Sequence, residues 1–246
     1  MELQNNRKRL DVVIHDRRPD LSRSLIQSWI KSGFVSIAGK VVTRPGALVE
    51  EDVEFILQHQ EPKFVSRSGA KLEQGLLDFK IDVTGLTVLD IGLSTGGFTD
   101  CLLQYGAAKV FGVDVGTGQV HPKIAQDSRV VVMEKTDVRN CVGKVPVVDM
   151  IVVDVSFISV TKFVDVLRQL LQPGGKLVVL IKPQFEGNPD DLARGGIVKN
   201  VATRQRIVQD VVTSLESYKF ELQSCEESAT VGGDGNVESL GYFIKR

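Results

Sequence analysis

Apolar and polar positions divide the chain into two regimes. Near the front, Leu10, Val13 and Ile14 recur at helical spacing. Leu25, Ile26, Trp29 and Ile30 form the apolar side of a second helix over residues 23–32, which Ser22 can cap. Trp29 sits within that stripe and is read as core. After Gly33, short strands are predicted at Phe34–Ile37, Val41–Val42 and Val53–Leu57, parted by turns at Ala38–Lys40 and Pro45–Gly46. Gln58–Pro62 breaks the periodicity. The expected division is a small α+β domain over 1–60, a linker over 61–66 and a large domain over 67–246.

The large domain alternates. A helix carries Leu72, Leu76 and Leu77, with Lys71 in its first turn, where the helix dipole favours acids instead. Apolar strands follow at Val88–Ile91, Val110–Val113, Val130–Met133, Met150–Val153 and Lys176–Ile181, interspersed with helices near Phe98, over 163–171 and over 203–217. Phe220–Cys225 and Glu238–Ile244 read as a closing antiparallel pair. This pattern predicts an α/β fold: a mostly parallel, seven-stranded sheet with helices on both faces. Such sheets bind ligands at the carboxyl ends of their strands. Asp90, Asp114, Asp137, Asp154 and Lys182 all fall at or just past those ends.

The stretch from Val88 to Asp100 is a strand, a glycine turn and a helix start. Gly92, Gly96 and Gly97 let backbone lie close to a nucleoside cofactor. The spacing is not Gly-x-Gly-x-x-Gly, and no Lys-Ser/Thr closes the turn, so neither a dinucleotide fingerprint nor a phosphate loop fits. Asp90 disfavours a pyrophosphate and suits a cationic cofactor such as S-adenosylmethionine. Asp114, about 20 residues on, can grip a ribose diol. The plain alternative is a glycine turn that binds nothing.

Composition narrows the classes. Among 246 residues, 42% are apolar and 25% charged, which is ordinary for a soluble globular protein. No run approaches the ~18 apolar residues of a membrane span, and no signal-peptide core follows Met1. The three cysteines are scattered, with no Cys-x-x-Cys pair, so no metal or redox role is expected and a cytoplasmic setting fits. The net charge of −1 is uneven: residues 7–49 hold nine Lys/Arg and three acids, +6 in sum. A basic segment in a neutral chain is either a nucleic-acid footprint or a solvated face.

Residues Leu10-Asp11, Ser22-Arg23, Ile30, Gly33-Phe34-Val35, Gly39-Lys40 and Pro45-Gly46 resemble the small RNA-binding module of ribosomal protein S-four. The resemblance makes Arg7, Arg17, Arg18, Arg23, Lys31 and Lys40 candidate RNA contacts. Further motifs are Ser66–Leu72, Asp90–Asp100, Asp154–Ser159, Lys182–Glu186, Arg194–Asn200 and Gly235–Glu238. With them, the chain is identified as resembling the TlyA (haemolysin A) family, which joins such a module to an FtsJ-like methyltransferase domain. The resemblance implies a Rossmann-like S-adenosylmethionine-dependent methyltransferase that 2′-O-methylates ribose in ribosomal RNA, with rRNA or ribosomal subunits as partner.

It further implies a catalytic tetrad of Lys71, Asp154, Lys182 and Glu238. A ribose hydroxyl must lose its proton as it attacks, so Lys182 is the expected base or hydroxyl-orienting group. Lys71 would hold the substrate, and Asp154 and Glu238 would position the lysines. Asp90, Gly92, Ser94, Gly96, Gly97 and Phe98 would line the methionine side of the cofactor, Asp114 the ribose and Asp137 the adenine amine. Arg67, Arg194 and Lys199 are further candidate phosphate contacts. Two departures from the family stand out. Leu93 replaces a small residue and would narrow the cofactor pocket, and the loop over 229–236 differs in sequence. They leave a second reading, a catalytically silent RNA-binding or ribosome-assembly factor. A membrane-lysing role finds no amphipathic segment to support it.

Overall fold

The computed structural model describes residues 7–57, 63–193, 195–230, 232 and 235–246. The chain forms two compact units, Met1–Glu61 and Pro62–Arg246.

The first unit contains β1 (Arg7–Arg9), α1 (Leu10–Arg17), α2 (Arg23–Lys31), β2 (Val35–Ile37), β3 (Lys40–Val41), β4 (Leu48–Glu50) and β5 (Phe55–Leu57). Ser22 Oγ accepts from Leu25 N at 3.3 Å and starts α2. Leu10, Ile14, Ile26, Trp29, Ile30 and Val35 make the core, so the indole body is packing material. β2 is the centre of an antiparallel sheet ordered β3-β2-β5. The β1–β4 ladder had no apolar signal. Arg7 pairs with Glu50 across it at 2.7 Å, and Lys8 reaches Glu51 at 2.8 Å, so charge rather than hydrophobic alternation marks this pair.

The second unit contains α3 (Ser68–Asp78), β6 (Thr87–Ile91), α4 (Gly97–Gln104), β7 (Lys109–Val113), α5 (Pro122–Ala125), β8 (Val130–Met133), β9 (Val148–Val153), α6 (Val164–Leu170), β10 (Leu171–Ile181), α7 (Pro183–Glu186), α8 (Val201–Ser217), β11 (Phe220–Glu227) and β12 (Ser239–Lys245). One sheet runs β11-β12-β10-β9-β6-β7-β8. Its last five strands are parallel, and β12 is antiparallel to both neighbours. Val88, Val110, Met150 and Val178 bury one face under Leu72, Leu76, Leu102 and Ile124. Leu89, Ile91, Val153 and Val179 bury the other under Leu167, Val211 and Leu215. Burial on both faces is why these strands read as unbroken apolar runs.

The chain leaves β6 for β7 and β8 on one side, then returns to β9 on the other. The order therefore reverses between β6 and β9, where doubly wound sheets open a crevice. Of the expected linker, Lys63–Ser66 folds with the second unit: Phe64 is buried, Val65 N donates to Asp100 Oδ2 at 2.8 Å, and Gln104 donates to Lys63 O. The break at Gln58–Pro62 lies outside the described residues. Among the described residues, no helix is long and apolar enough to cross a membrane.

Candidate active site

The tips of β6 and β9 touch. Gly92 has φ +92°, and a Cβ there would collide with the Asp154 carbonyl, so the contact depends on glycine. Gly96, in the left-handed region, caps α4 and Gly97 begins it. The turn frames two adjoining cavities.

The first, of about 360 Å³, lies over the tips of β6, β7 and β9. Val113, Val138, Ile158 and Phe163 supply apolar wall, and Asp114 and Asp137 stand at it. Asp114 Oδ2 accepts from Ser94 N and Oδ1 from Gly116 N, both at 2.7 Å, so the carboxylate is held by backbone with lone pairs to spare. Asp137 receives Arg139 at 2.9 and 2.6 Å, and that guanidinium holds its carboxyl below the usual range.

The second cavity, of about 280 Å³, is lined by Arg67, Lys71, Phe98, Lys182 and Thr230 among others. It shares Gly92, Ser94, Asp154 and Ser156 with the first. Lys182 Nζ lies 2.6 Å from Asp154 Oδ1 in an ion pair, and its directed hydrogen bond goes to Ser156 Oγ at 3.2 Å. Lys71 Nζ donates to Glu238 Oε2 at 2.5 Å, with both side chains almost enclosed. The sheet thus brings Lys71, Asp154 and Lys182 to one cavity, with Glu238 behind Lys71.

Other expected site residues lie differently. Asp90 does not border either cavity. It is fully buried beneath the turn, where Thr99 Oγ1 donates to its Oδ2 at 2.6 Å and its Oδ1 has no hydrogen-bond partner among the described residues. Burial pushes its carboxyl up to about 7, against the Thr99 hydrogen bond and with help from Asp154 and Asp114. Gly96 and Gly97 shape the turn without lining a cavity. Leu93 borders the lysine cavity only, and its Cδ atoms sit where a side chain on Gly112 would stand. The space it was expected to take from the cofactor is taken largely from the sheet.

In the first unit, most basic candidates have partners. Arg7 pairs with Glu50, and Arg18 with Asp20 at 2.6 Å. Arg17 donates to the carbonyls of Glu51 and Val53 and covers Phe55, which makes it a strap between α1 and the β4–β5 turn. Arg23 shares the fully buried Asp11 with Arg9 and Gln27, at 3.2, 2.9 and 2.6 Å. Arg9 was counted in the basic segment but not among the candidate RNA contacts, although Leu10-Asp11 beside it belongs to the module's motif. Lys31, Lys40 and Lys199 are exposed, and Arg194 lies outside the described residues. Ser156 and Thr230 also border the lysine cavity, without any signal in spacing.

An apolar slot with a backbone-held carboxylate fits a nucleoside, and Asp114, Asp137 and Asp154 make the neighbourhood suit a cationic tail. Strand order, switch-point crevice and paired lysines together define a Rossmann-like methyltransferase. Residues 64–244 match the FtsJ-like methyltransferase model, and residues 8–55 match the S4 domain. The chain belongs to the FtsJ-like methyltransferase family, in its S4-bearing TlyA (haemolysin A) branch.

Relatives agree over nearly full length. "Hemolysin A" of Brachyspira hyodysenteriae is 38% identical over 96% of this chain and 99% of its own. The 16S/23S rRNA (cytidine-2′-O)-methyltransferase TlyA of Mycobacterium tuberculosis is 35% identical over 97% and 89%. A solved hemolysin-named protein from Streptococcus thermophilus superposes with a TM-score of 0.76 at 33% identity, over 98% of this chain and 89% of that one. An S-adenosylmethionine-dependent methyltransferase from Mesorhizobium loti has a TM-score of 0.52 at 16% identity, over 72% and 99%, a likeness of fold alone.

Proposed function

We propose that the protein methylates a 2′-hydroxyl of ribose in ribosomal RNA, using S-adenosylmethionine. One observation carries this reading: two lysine–carboxylate pairs stand at a cavity that shares its wall with a nucleoside-sized crevice. The names of relatives such as the mycobacterial TlyA support rRNA and ribose as the target.

When bound, the cofactor supplies an electrophilic methyl group on a sulfonium. Asp114 would hold its ribose and Asp137 its adenine amine. Gly92, Ser94 and Phe98 would border the methionine portion, with Gly96, Gly97 and the buried Asp90 shaping the turn from below. Lys182 Nζ orients the acceptor hydroxyl and, once it has released its own proton to solvent, is placed to take the hydroxyl's; Asp154 and Ser156 fix its direction. Lys71, anchored by Glu238, holds the acceptor nucleotide. Fixing oxygen and methyl in line supplies much of the acceleration.

RNA phosphates are the partner of the basic residues. Arg9 and Arg23, aimed by Asp11, together with Lys31 and Lys40, serve the 1–60 domain, and Arg67 and Lys199 serve the catalytic one. Arg7 and Arg18, each already ion-paired, and Arg194 are secondary contacts, whereas Arg17 is structural. With ribosomes as substrate, the protein acts in the cytoplasm.

The test is a map of ribose methylation across rRNA from cells with and without the gene. A mark is expected to vanish, to return with the wild-type protein and to stay absent with Lys182→Ala. An unchanged map would defeat the proposal.

A further inference from the structure

One buried carboxamide joins two glycine-bearing loops, one of which reaches the lysine cavity through Thr230. Asn236 is only 1% exposed. Its Oδ1 accepts from Val198 N at 3.0 Å, and its Nδ2 donates to Gly196 O at 3.0 Å. The side chain therefore acts as a peptide group would toward a neighbouring strand, with donor and acceptor both in use. Its own carbonyl accepts from Gly232 N at 2.8 Å, which closes the turn in which it sits.

Both loops lead to functional side chains. Two residues beyond Asn236 is Glu238, which grips Lys71. The Glu238 carbonyl accepts from Ser228 N, and Ala229 N donates to Gln74 on α3, the helix that carries Lys71. On the other side, Val198 precedes the exposed Lys199, and Asn200 then caps α8 through Thr203 N. Gly195 and Gly196 have φ of +93° and +75°, with no atom of the described residues near where their side chains would lie. The bend is held by the Ala193–Ile197 bridge, by Gly196 N donating to Ala193 O at 3.0 Å, by the buried Val198 side chain, and by Asn236, which ties it to the other loop.

We infer that Asn236 is a positioning residue that locks the Gly195–Lys199 loop to the Lys71–Glu238 pair. It thereby sets the RNA backbone met by Lys199 in register with the ribose held at Lys71. The inference rests on the ribose-methylation reading. Asparagine suits the task because it carries a donor and an acceptor on a short stem. Aspartate has the same shape, but turns a lone pair toward Gly196 O where a hydrogen bond stood.

Asn236→Asp, Asn236→Ser and Lys199→Ala in the full-length protein test this, with three readouts. Hydrogen exchange at the Val198 amide should quicken at least tenfold in Asn236→Ser, which loses the acceptor, and stay unchanged in Lys199→Ala. The kcat/KM for rRNA should fall at least tenfold in the Asn236 variants. S-adenosylmethionine affinity by calorimetry should stay within threefold, because the loop does not border the nucleoside crevice. Lys199→Ala should raise the KM for rRNA alone, yet add less than twofold on top of Asn236→Ser. Wild-type exchange and kcat/KM in Asn236→Ser would overturn the inference, and so would independent, multiplying effects of the two sites. If Asn236→Asp misfolds, the serine variant, which buries no charge, decides. A wild-type protein inactive on rRNA would defeat the functional reading instead, and the exchange measurement would still decide the loop tie.

Discussion

Lys71 and Glu238 lie 167 residues apart in the chain, and their charged atoms meet at 2.5 Å in an almost enclosed site. A buried pair of this kind adds little net stability, but removing one partner strands the other charge. Glu238→Gln is expected to cost about 3 kcal/mol in urea denaturation. The double variant Lys71→Met/Glu238→Leu should be less destabilised than Glu238→Gln while remaining inactive. A double variant as unstable as the sum of its single changes would show that the pair acts through packing.

Lys182 has a separable role in chemistry. Lys182→Ala should lower kcat by about 10²–10⁴-fold, with cofactor affinity by calorimetry within threefold. Lys182→Arg distinguishes proton acceptance from orientation, because a guanidinium stays protonated. A Lys182→Arg enzyme retaining a tenth of wild-type kcat would leave orientation as the role of this residue.

Asp90 should give the protein a pH-dependent stability. Its folded value of about 7 lies above its ordinary 3.8, so the native state holds a proton that the unfolded state releases. The stabilisation from protonated Asp90 is complete below about pH 4 and is lost as pH rises through 7. Asp90→Asn stays neutral throughout. Relative to wild type it should gain on the order of 3 kcal/mol between pH 5 and 8.5, about two units of full slope. Parallel urea-denaturation curves across that range would refute this.

Leu93 and Gly112 are fitted to one another across the β6–β7 tip: a Cβ on Gly112 would fall 2.7 Å from Leu93 Cδ2. Gly112→Ala should cost about 1–3 kcal/mol by overpacking. Leu93→Ala in the same chain should recover part of that loss, despite costing stability alone through the cavity it leaves. Thermal denaturation of the three variants checks the sign of the coupling. Cofactor affinity of Leu93→Ala should change less than threefold.

The sheet was legible because its central strands are covered on both faces, which writes a continuous apolar run into the sequence. Strand ends followed, and with them Asp114, Asp154 and Lys182 at the crevice. What sequence could not express was depth. Asp90 has the same spacing from its strand as a lining residue would, yet Thr99 receives it underneath the turn. The β1–β4 ladder was invisible because Arg-Lys-Arg pairs through charge. Pro183–Glu186 makes too short a helix to leave a period. The Asn236 latch depends on two backbone groups about forty residues away, a relation no local pattern carries.

The placing of β12 has a temporal consequence. It enters the sheet between β10 and β11, both made before it, and it follows directly on Glu238. Until β12 is made, Lys71 lacks its anion and β11 has no neighbour in the sheet. The reactive centre is thus completed by the final segment of the sheet to be translated.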